Sequence, residues 1–164
     1  MVCKKCNAEI GEGLKFCVKC GTKIDDTAPG KKILKISGII FIGFAVLGII
    51  SIFSSIVLIP YLQNSGVSNF GGTTGMVFMI ISGVIGVILN TVIGLAGIKY
   101  SNIVEKAKLL ILMVVIFCIF QIVSIIISSS ITKNAFSPIS LINFILPSIF
   151  FIGAYMNYKA QEGK

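Results

Sequence analysis

Four of the five cysteines lie near the start of the chain, in two Cys-x-x-Cys pairs that ten residues separate. The pairs are Cys3 with Cys6 and Cys17 with Cys20. Structural zinc sites take four tetrahedral ligands, and two such pairs can supply four thiolates from two segments of chain. The spacing therefore predicts that Cys3, Cys6, Cys17 and Cys20 bind one structural Zn²⁺, with Zn–S distances of about 2.3 Å.

The residue after each pair supports the metal interpretation. Asn7 follows Cys6, and Gly21 follows Cys20. The chain must turn sharply after the second cysteine of a metal knuckle, and Asn and Gly are the residues that best tolerate a positive φ. We therefore expect positive φ at both positions.

The predicted site is structural, because protein ligands fill all four positions and leave none for a catalytic water. The segment also offers only Ile10, Leu14, Phe16 and Ile24 for an apolar core. A module this small should need its metal in order to fold. Four thiolates on Zn²⁺ leave a net charge of −2, which nearby lysines can offset. These are Lys4, Lys5, Lys15, Lys19 and Lys23.

Two other uses of the cysteines stay open at this point, a rubredoxin-like iron site and a redox-active dithiol pair. An iron site would need more shielding core than the segment provides. The fifth cysteine, Cys118, lies in an apolar segment and is interpreted as a small buried hydrophobic residue.

Residues 3–24, with CKKC followed by KFCVKCG, resemble the short zinc-ribbon domains at the N-termini of many prokaryotic proteins, often joined to membrane segments. The resemblance implies a short β-hairpin with two knuckles, and the same four cysteine ligands. Asn7 departs from the family pattern, in which Gly is usual. The remainder is loosely similar to small four-helix membrane proteins of unknown function.

The composition indicates an integral membrane protein. Hydrophobic residues make up 55% of the 164 residues and charged residues 12%, and the mean hydropathy is +1.01. Histidine is absent, which excludes every role that needs an imidazole. We predict an all-α four-helix transmembrane bundle behind the zinc ribbon.

The predicted organisation is a zinc ribbon (1–24), a linker (25–32), a membrane domain (33–158) and a cytoplasmic tail (159–164). The first apolar run, 33–59, is too long for a signal-peptide core and is interpreted as a retained anchor. The other predicted spans are 76–98, 109–131 and 139–156. Ser137 and Pro138 form a helix start, and Pro147 should kink the fourth helix by freeing the carbonyl of Asn143.

Lysines define the expected orientation, since basic residues near helix ends stay on the cytoplasmic side. If both termini lie on the cytoplasmic side of the plasma membrane, Lys133 is the only lysine on the outer side. The cytoplasmic flanks then hold Lys31, Lys32, Lys35, Lys99, Lys106, Lys108, Lys159 and Lys164.

The predicted spans contain no Asp, Glu or His, the side chains that proton-coupled transport or membrane catalysis would need. We therefore expect a non-enzymatic membrane protein whose cytosolic zinc ribbon is an interaction or regulatory module. The alternative is a small channel, transporter subunit or assembly factor with a polar path lined by Asn90, Gln121 and Asn143.

The expected partners are the lipid bilayer and a protein that binds the zinc ribbon, while a homo-oligomer is left open. Nucleic acid is disfavoured, because arginine is absent and Phe16 is the only candidate for base stacking.

The second span carries a stripe of small and polar residues spaced three or four apart, at roughly 100° per residue. We expect this stripe to face the bundle, Val87 to face away from it, and Asn90 to meet a polar group of a neighbouring helix. The stripe is Gly83, Gly86, Asn90, Gly94 and Gly97.

Overall fold

The computed structural model describes residues 3, 5–9, 11, 16–22, 28–64, 72–132 and 138–162. Four long α-helices account for most of this part of the chain, and short 3₁₀ segments precede the third and the fourth. The helices are α1 (Lys31–Asn64), α2 (Gly72–Tyr100), α3 (Ala107–Thr132) and α4 (Ile145–Glu162). The 3₁₀ segments are Val104–Lys106 and Pro138–Phe144.

All four helices are long and apolar enough to cross a membrane, as the composition predicts. Their outer faces carry large apolar side chains in the open, among them Phe53 at 68% and Val57 at 77% exposure. A water-soluble surface would not carry so many of them together, whereas lipid is a suitable solvent for these faces. The candidate spans are Lys31–Leu58, Thr74–Tyr100, Val104–Ile131 and Leu141–Glu162.

The fourth span is not one uniform α-helix. The chain is 3₁₀ over Pro138–Phe144 and becomes α-helical only at Ile145, so Pro147 lies in the first turn of α4. Pro147 has no N–H to donate to the carbonyl of Asn143, four residues before it, and the predicted kink there stays a prediction. Pro138 begins the 3₁₀ segment, and Ser137 lies outside the described residues.

The centre of the bundle is an aromatic cluster that joins three helices. Phe41 of α1 meets Phe117 of α3 and Phe150 of α4 edge to face, with both pairs of ring centroids 5.6 Å apart. All three rings are at most 2% exposed. The edge-to-face arrangement directs ring hydrogens at ring faces, which adds to the packing of these large side chains.

Helices α1 and α2 pack so closely that their backbones are in contact. A Cβ built on Gly94 would lie 2.8 Å from the carbonyl oxygen of Gly38, and the reciprocal distance is also 2.8 Å. One turn further along α2, a Cβ on Gly97 would lie 2.5 Å from the ring of Phe150. Glycine is needed at these positions because any side chain would separate the helices.

The prediction that the stripe on α2 faces the bundle is therefore correct for Gly83, Gly94 and Gly97, since a Cβ on Gly83 would lie 3.1 Å from Ile52 of α1. It is wrong for Gly86 and for the partner of Asn90. A Cβ on Gly86 would have no neighbour within 4 Å. The side chain of Asn90 donates to the carbonyl of Gly86 in its own helix, at 2.8 Å, and not to a neighbouring helix. Val87, expected to face away, packs against Gly48 of α1.

A buried polar junction closes one end of the bundle. The side-chain oxygen of Asn157 in α4 accepts from the N–H of Gly30, at 2.7 Å, and its amide nitrogen donates to the carbonyl of Ser101, at 3.0 Å. The side-chain oxygen of Asn102 accepts from the N–H of Ala28, at 3.2 Å. The start of α1, the α2–α3 turn and the end of α4 thus share one end of the bundle.

Candidate metal centre

The structure brings together the four cysteines that the sequence predicts as metal ligands. Their Sγ atoms all lie within 4.8 Å of one another, and none of the four is in a disulfide. The Cys3–Cys20 and Cys6–Cys17 sulfur pairs are each 3.6 Å apart. A tetrahedral site with metal–sulfur bonds of about 2.3 Å has sulfurs about 3.8 Å apart, so the sulfurs stand at close to ligand spacing.

Two equivalent turns of backbone hold the sulfurs in place. In each turn the amide of the first cysteine donates to a carbonyl five residues on, and the amide four residues on donates back to the carbonyl of that cysteine. The first turn pairs Cys3 with Ala8 and Asn7, at 2.9 and 2.9 Å, and the second pairs Cys17 with Thr22 and Gly21, at 2.8 and 2.8 Å.

Each turn closes on a residue with a left-handed backbone. The φ of Asn7 is 51° and that of Gly21 is 66°, which confirms the predicted positive φ at both positions. Asn7 is the only non-glycine residue with positive φ among those that the structure describes. Asparagine tolerates this conformation better than most side chains, so the turn forms without glycine.

Hydrogen-bond donors favour the ionised form of Cys3 and Cys20. The hydroxyl of Thr22, with its oxygen 3.1 Å from Cys20 Sγ, and the Thr22 amide lower the pKa of Cys20 to about 6. The amides of Lys5 and Cys6 likewise lower the pKa of Cys3. The amide of Ala8 lowers the pKa of Cys6, but burial and the neighbouring sulfurs have the larger opposite effect, so this pKa is raised to about 12.

The sulfurs themselves form the interior of the described part of the module. Cys3 and Cys17 are 4% and 1% exposed, and Cys6 and Cys20 pack against them half-buried. Phe16, which the sequence analysis assigns to the core, is 57% exposed, so that assignment is wrong. A metal bound by the four sulfurs would cross-link the two turns.

The predicted β-hairpin extends, in the described residues, only to single-residue bridges at Glu9 and Phe16. Lys5 and Lys19 are exposed, and the offset of the thiolate charge by these lysines stays a prediction. Ile10, Leu14, Ile24, Lys4, Lys15 and Lys23 lie outside the described residues.

The donor set suits a soft or borderline metal. Four thiolates select Zn²⁺ or iron over hard cations such as Mg²⁺ and Ca²⁺, which take oxygen ligands. Cys3, Cys6, Cys17 and Cys20 would hold the ion, which would supply cross-linking to the module and no open coordination position. Cys118 lies apart from them, half-buried in α3.

The three residues of the second candidate site, a polar path through the bundle, lie in different surroundings. Asn90 bonds within its own helix, Gln121 is half-buried, and Asn143 is exposed. Across the described part of the chain, no hydrogen bond joins these three side chains. The polar path therefore stays a prediction.

Sequence reasoning missed two contributors to the metal centre. Ala8 and Thr22 stand at equivalent positions, two residues after the second cysteine of each pair, where their amides reach the sulfur. The repeated spacing of the two pairs could have identified both positions. The hydroxyl of Thr22 has no counterpart in the first turn.

Four clustered cysteines near the start of the chain and four helices apolar enough to span a membrane characterise this protein. Comparison of the chain with protein-family models, curated proteins and solved structures finds no match.

Proposed function

We propose that this chain is a non-enzymatic integral membrane protein whose cysteine module binds one structural Zn²⁺ and serves as a cytosolic interaction or regulatory module. The observation that carries the proposal is the cluster of four Sγ atoms within 4.8 Å, beside helices long enough to span a bilayer. The module and the membrane anchor belong to one chain, so whatever the module binds is held at the membrane surface.

Zinc is the metal that the surroundings of the sulfurs favour. Cys6 and Cys20 are half-buried rather than enclosed, which gives an iron centre little protection from solvent. A redox dithiol needs two sulfurs near each other, whereas here four converge on one point. Zn²⁺ has no redox chemistry and readily takes four thiolates, so it matches both features.

The absence of reactive groups at membrane depth supports a non-enzymatic role. No Asp, Glu, Lys, Arg or His occurs between residues 36 and 98, and Lys133 is the only one between 109 and 158. Catalysis or proton coupling inside the bilayer would need such groups in the bundle. The bundle is therefore proposed to anchor and position the module.

The lysines support a cytoplasmic location of the module at the plasma membrane. The polar junction places the start of α1, the end of α2 and the end of α4 together, and all the described lysines of the bundle lie at this end. Basic ends of membrane helices stay in the cytoplasm. These lysines are Lys31, Lys32, Lys35, Lys99, Lys106, Lys108 and Lys159.

The surface of the module offers apolar contacts to a protein partner. Val18 is 80% and Phe16 57% exposed, on either side of the buried Cys17. Two large apolar side chains in the open on so small a module are suited to a protein interface. The partner would bind beside the metal without contacting it.

Affinity purification of the full-length protein in mild detergent, after cross-linking in membranes, tests this function. We expect a protein that copurifies with the wild type and with Cys118→Ser, but not with Cys17→Ser or Val18→Asp. Cys118→Ser is the matched control, because it removes a thiol outside the cluster. Recovery of the same proteins with the wild type and with all three variants would overturn the proposal. Flux in proteoliposomes that Asn90→Leu abolishes would instead favour the channel alternative.

A further inference from the structure

The outer face between α3 and α4 carries an apolar groove at membrane depth. Two cavities, of about 310 and 380 Å³, lie end to end along it and share Ile122 in their linings. The first lies between Val115 and Phe151, and the second reaches Leu141. Each has the volume of a small-molecule site, and the pair forms one elongated apolar trough.

A lysine lies at the cytoplasmic-side end of the same helix face. Lys108 is seven residues before Val115 and fourteen before Ile122, so at about 100° per residue the three project within about 40° of one another. At 1.5 Å per residue, the groove begins about 10 Å deeper along α3 than Lys108. The interfacial layer of a bilayer is about 5–8 Å thick, so this offset separates headgroup depth from acyl-chain depth.

The ammonium of Lys108 is held in place and remains available to an anion. It lies 5.6 Å from the centroid of the Tyr158 ring on α4. The carboxylate of Glu162 accepts a hydrogen bond from the Tyr158 hydroxyl. Within the described ranges, Lys108 forms no ion pair with a carboxylate.

We propose that this groove binds an anionic phospholipid, whose phosphate lies against Lys108 and Tyr158 and whose acyl chain fills the trough down to Leu141. The charge at one end and the lining below it, which is apolar apart from Ser148, match the two parts of such a lipid. The Ser148 hydroxyl donates to the carbonyl of Phe144 in the preceding turn. A second protein helix would gain nothing from a cation at this end, and a free phosphate would gain nothing from the trough.

Native mass spectrometry of the full-length protein, titrated with dioleoyl phosphatidylglycerol or dioleoyl phosphatidylcholine, tests the proposal. We expect retention of the anionic lipid in preference to the zwitterionic one. Lys108→Gln should reduce that preference about fivefold, since a lysine near an anionic surface contributes about 1 kcal/mol. The matched control is Lys99→Gln, which removes an exposed ammonium 5.5 Å from the Tyr100 ring but beside neither cavity.

A variant that fills the groove tests whether the acyl chain occupies the trough or whether only the headgroup is bound. Ile122→Trp should abolish retention of both lipids, whereas Ile88→Trp, at a residue of α2 that is 56% exposed and lines neither cavity, should leave it unchanged. Equal retention of the two lipids by the wild type, or unchanged retention by Ile122→Trp, would overturn the proposal. So would a wild-type dimer that Ile122→Trp converts to monomer, because the groove would then be an interface between copies of the chain.

Discussion

The side-chain oxygen of Asn157 accepts a 2.7 Å hydrogen bond from the backbone N–H of Gly30, which lies 127 residues earlier in the chain. Asn157 is fully buried, and its amide nitrogen also donates to the carbonyl of Ser101. One side chain thus satisfies two backbone groups from different segments. A Cβ on Gly30 would clash with the carbonyl oxygen of Gly153, so the backbones of the two segments are in direct contact.

Replacing this amide should destabilise the bundle. Asn157→Leu leaves the Gly30 N–H and the Ser101 carbonyl buried without partners, and we expect a loss of about 1–2 kcal/mol in the free energy of unfolding. Unfolding in mixed detergent micelles, followed by circular dichroism, measures it. Asn90→Leu is the control, because Asn90 bonds only within α2. Equal losses for the two variants would refute the role of the junction.

Gly94 and Gly86, which the sequence pattern places on the same stripe of α2, should differ in how well they tolerate alanine. Gly94→Ala places a methyl group 2.8 Å from the Gly38 carbonyl oxygen and must push α1 and α2 apart, which we expect to cost about 1–3 kcal/mol. Gly86→Ala should be neutral or slightly stabilising, because nothing lies within 4 Å and alanine favours helix. The same unfolding assay compares the two, and equal tolerance of both changes would contradict the packing.

Helical periodicity explains why the sequence predicts the helices well but their contacts only in part. A period of 3–4 residues identifies a face of α2, but it does not tell which neighbour covers that face at each level. Gly94 and Gly97 meet α1 and α4, whereas Gly86 meets nothing within 4 Å. The junction at Asn157 was not predicted, because it joins a residue just beyond the predicted fourth span to Gly30 in the predicted linker.

The cysteine cluster was predictable because its geometry is local. Each pair closes one turn, and the spacing of the cysteines together with Asn7 and Gly21 specifies that turn. The exposure of Phe16 was not predictable from its type, since an apolar residue next to a ligand can face either side of the chain. The donor hydroxyl of Thr22 depends on a side-chain rotamer, which spacing does not determine.

Membrane orientation can be tested with single cysteines in a variant that lacks the five native ones. We expect a membrane-impermeant maleimide, applied to intact cells, to label Tyr61→Cys, because Tyr61 is 72% exposed near the end of α1 remote from the lysines. Asn102→Cys, at the lysine-rich end, should react only after the membrane is permeabilised. The reverse labelling pattern would place the module outside the cytoplasm.

Removal of metal should unfold the module and spare the bundle. In the described part of the module the buried residues are Cys3 and Cys17, whereas the bundle is held by the aromatic cluster around Phe41. A zinc chelator added to the full-length protein should speed proteolysis within residues 1–30 and leave helical circular dichroism unchanged. Proteolysis that is equally slow with and without chelator would show that the module folds without metal.

Metal content of the purified full-length protein tests the zinc site most directly. After preparation under reducing, zinc-replete conditions, we expect one zinc per chain by elemental analysis, and four sulfur ligands at about 2.3 Å by X-ray absorption. Cys118→Ser should keep this zinc, and the double variant Cys3→Ser with Cys17→Ser, which removes both buried sulfurs, should lose it. A wild-type zinc content near zero, or zinc retained by the double variant, would contradict the proposed metal centre.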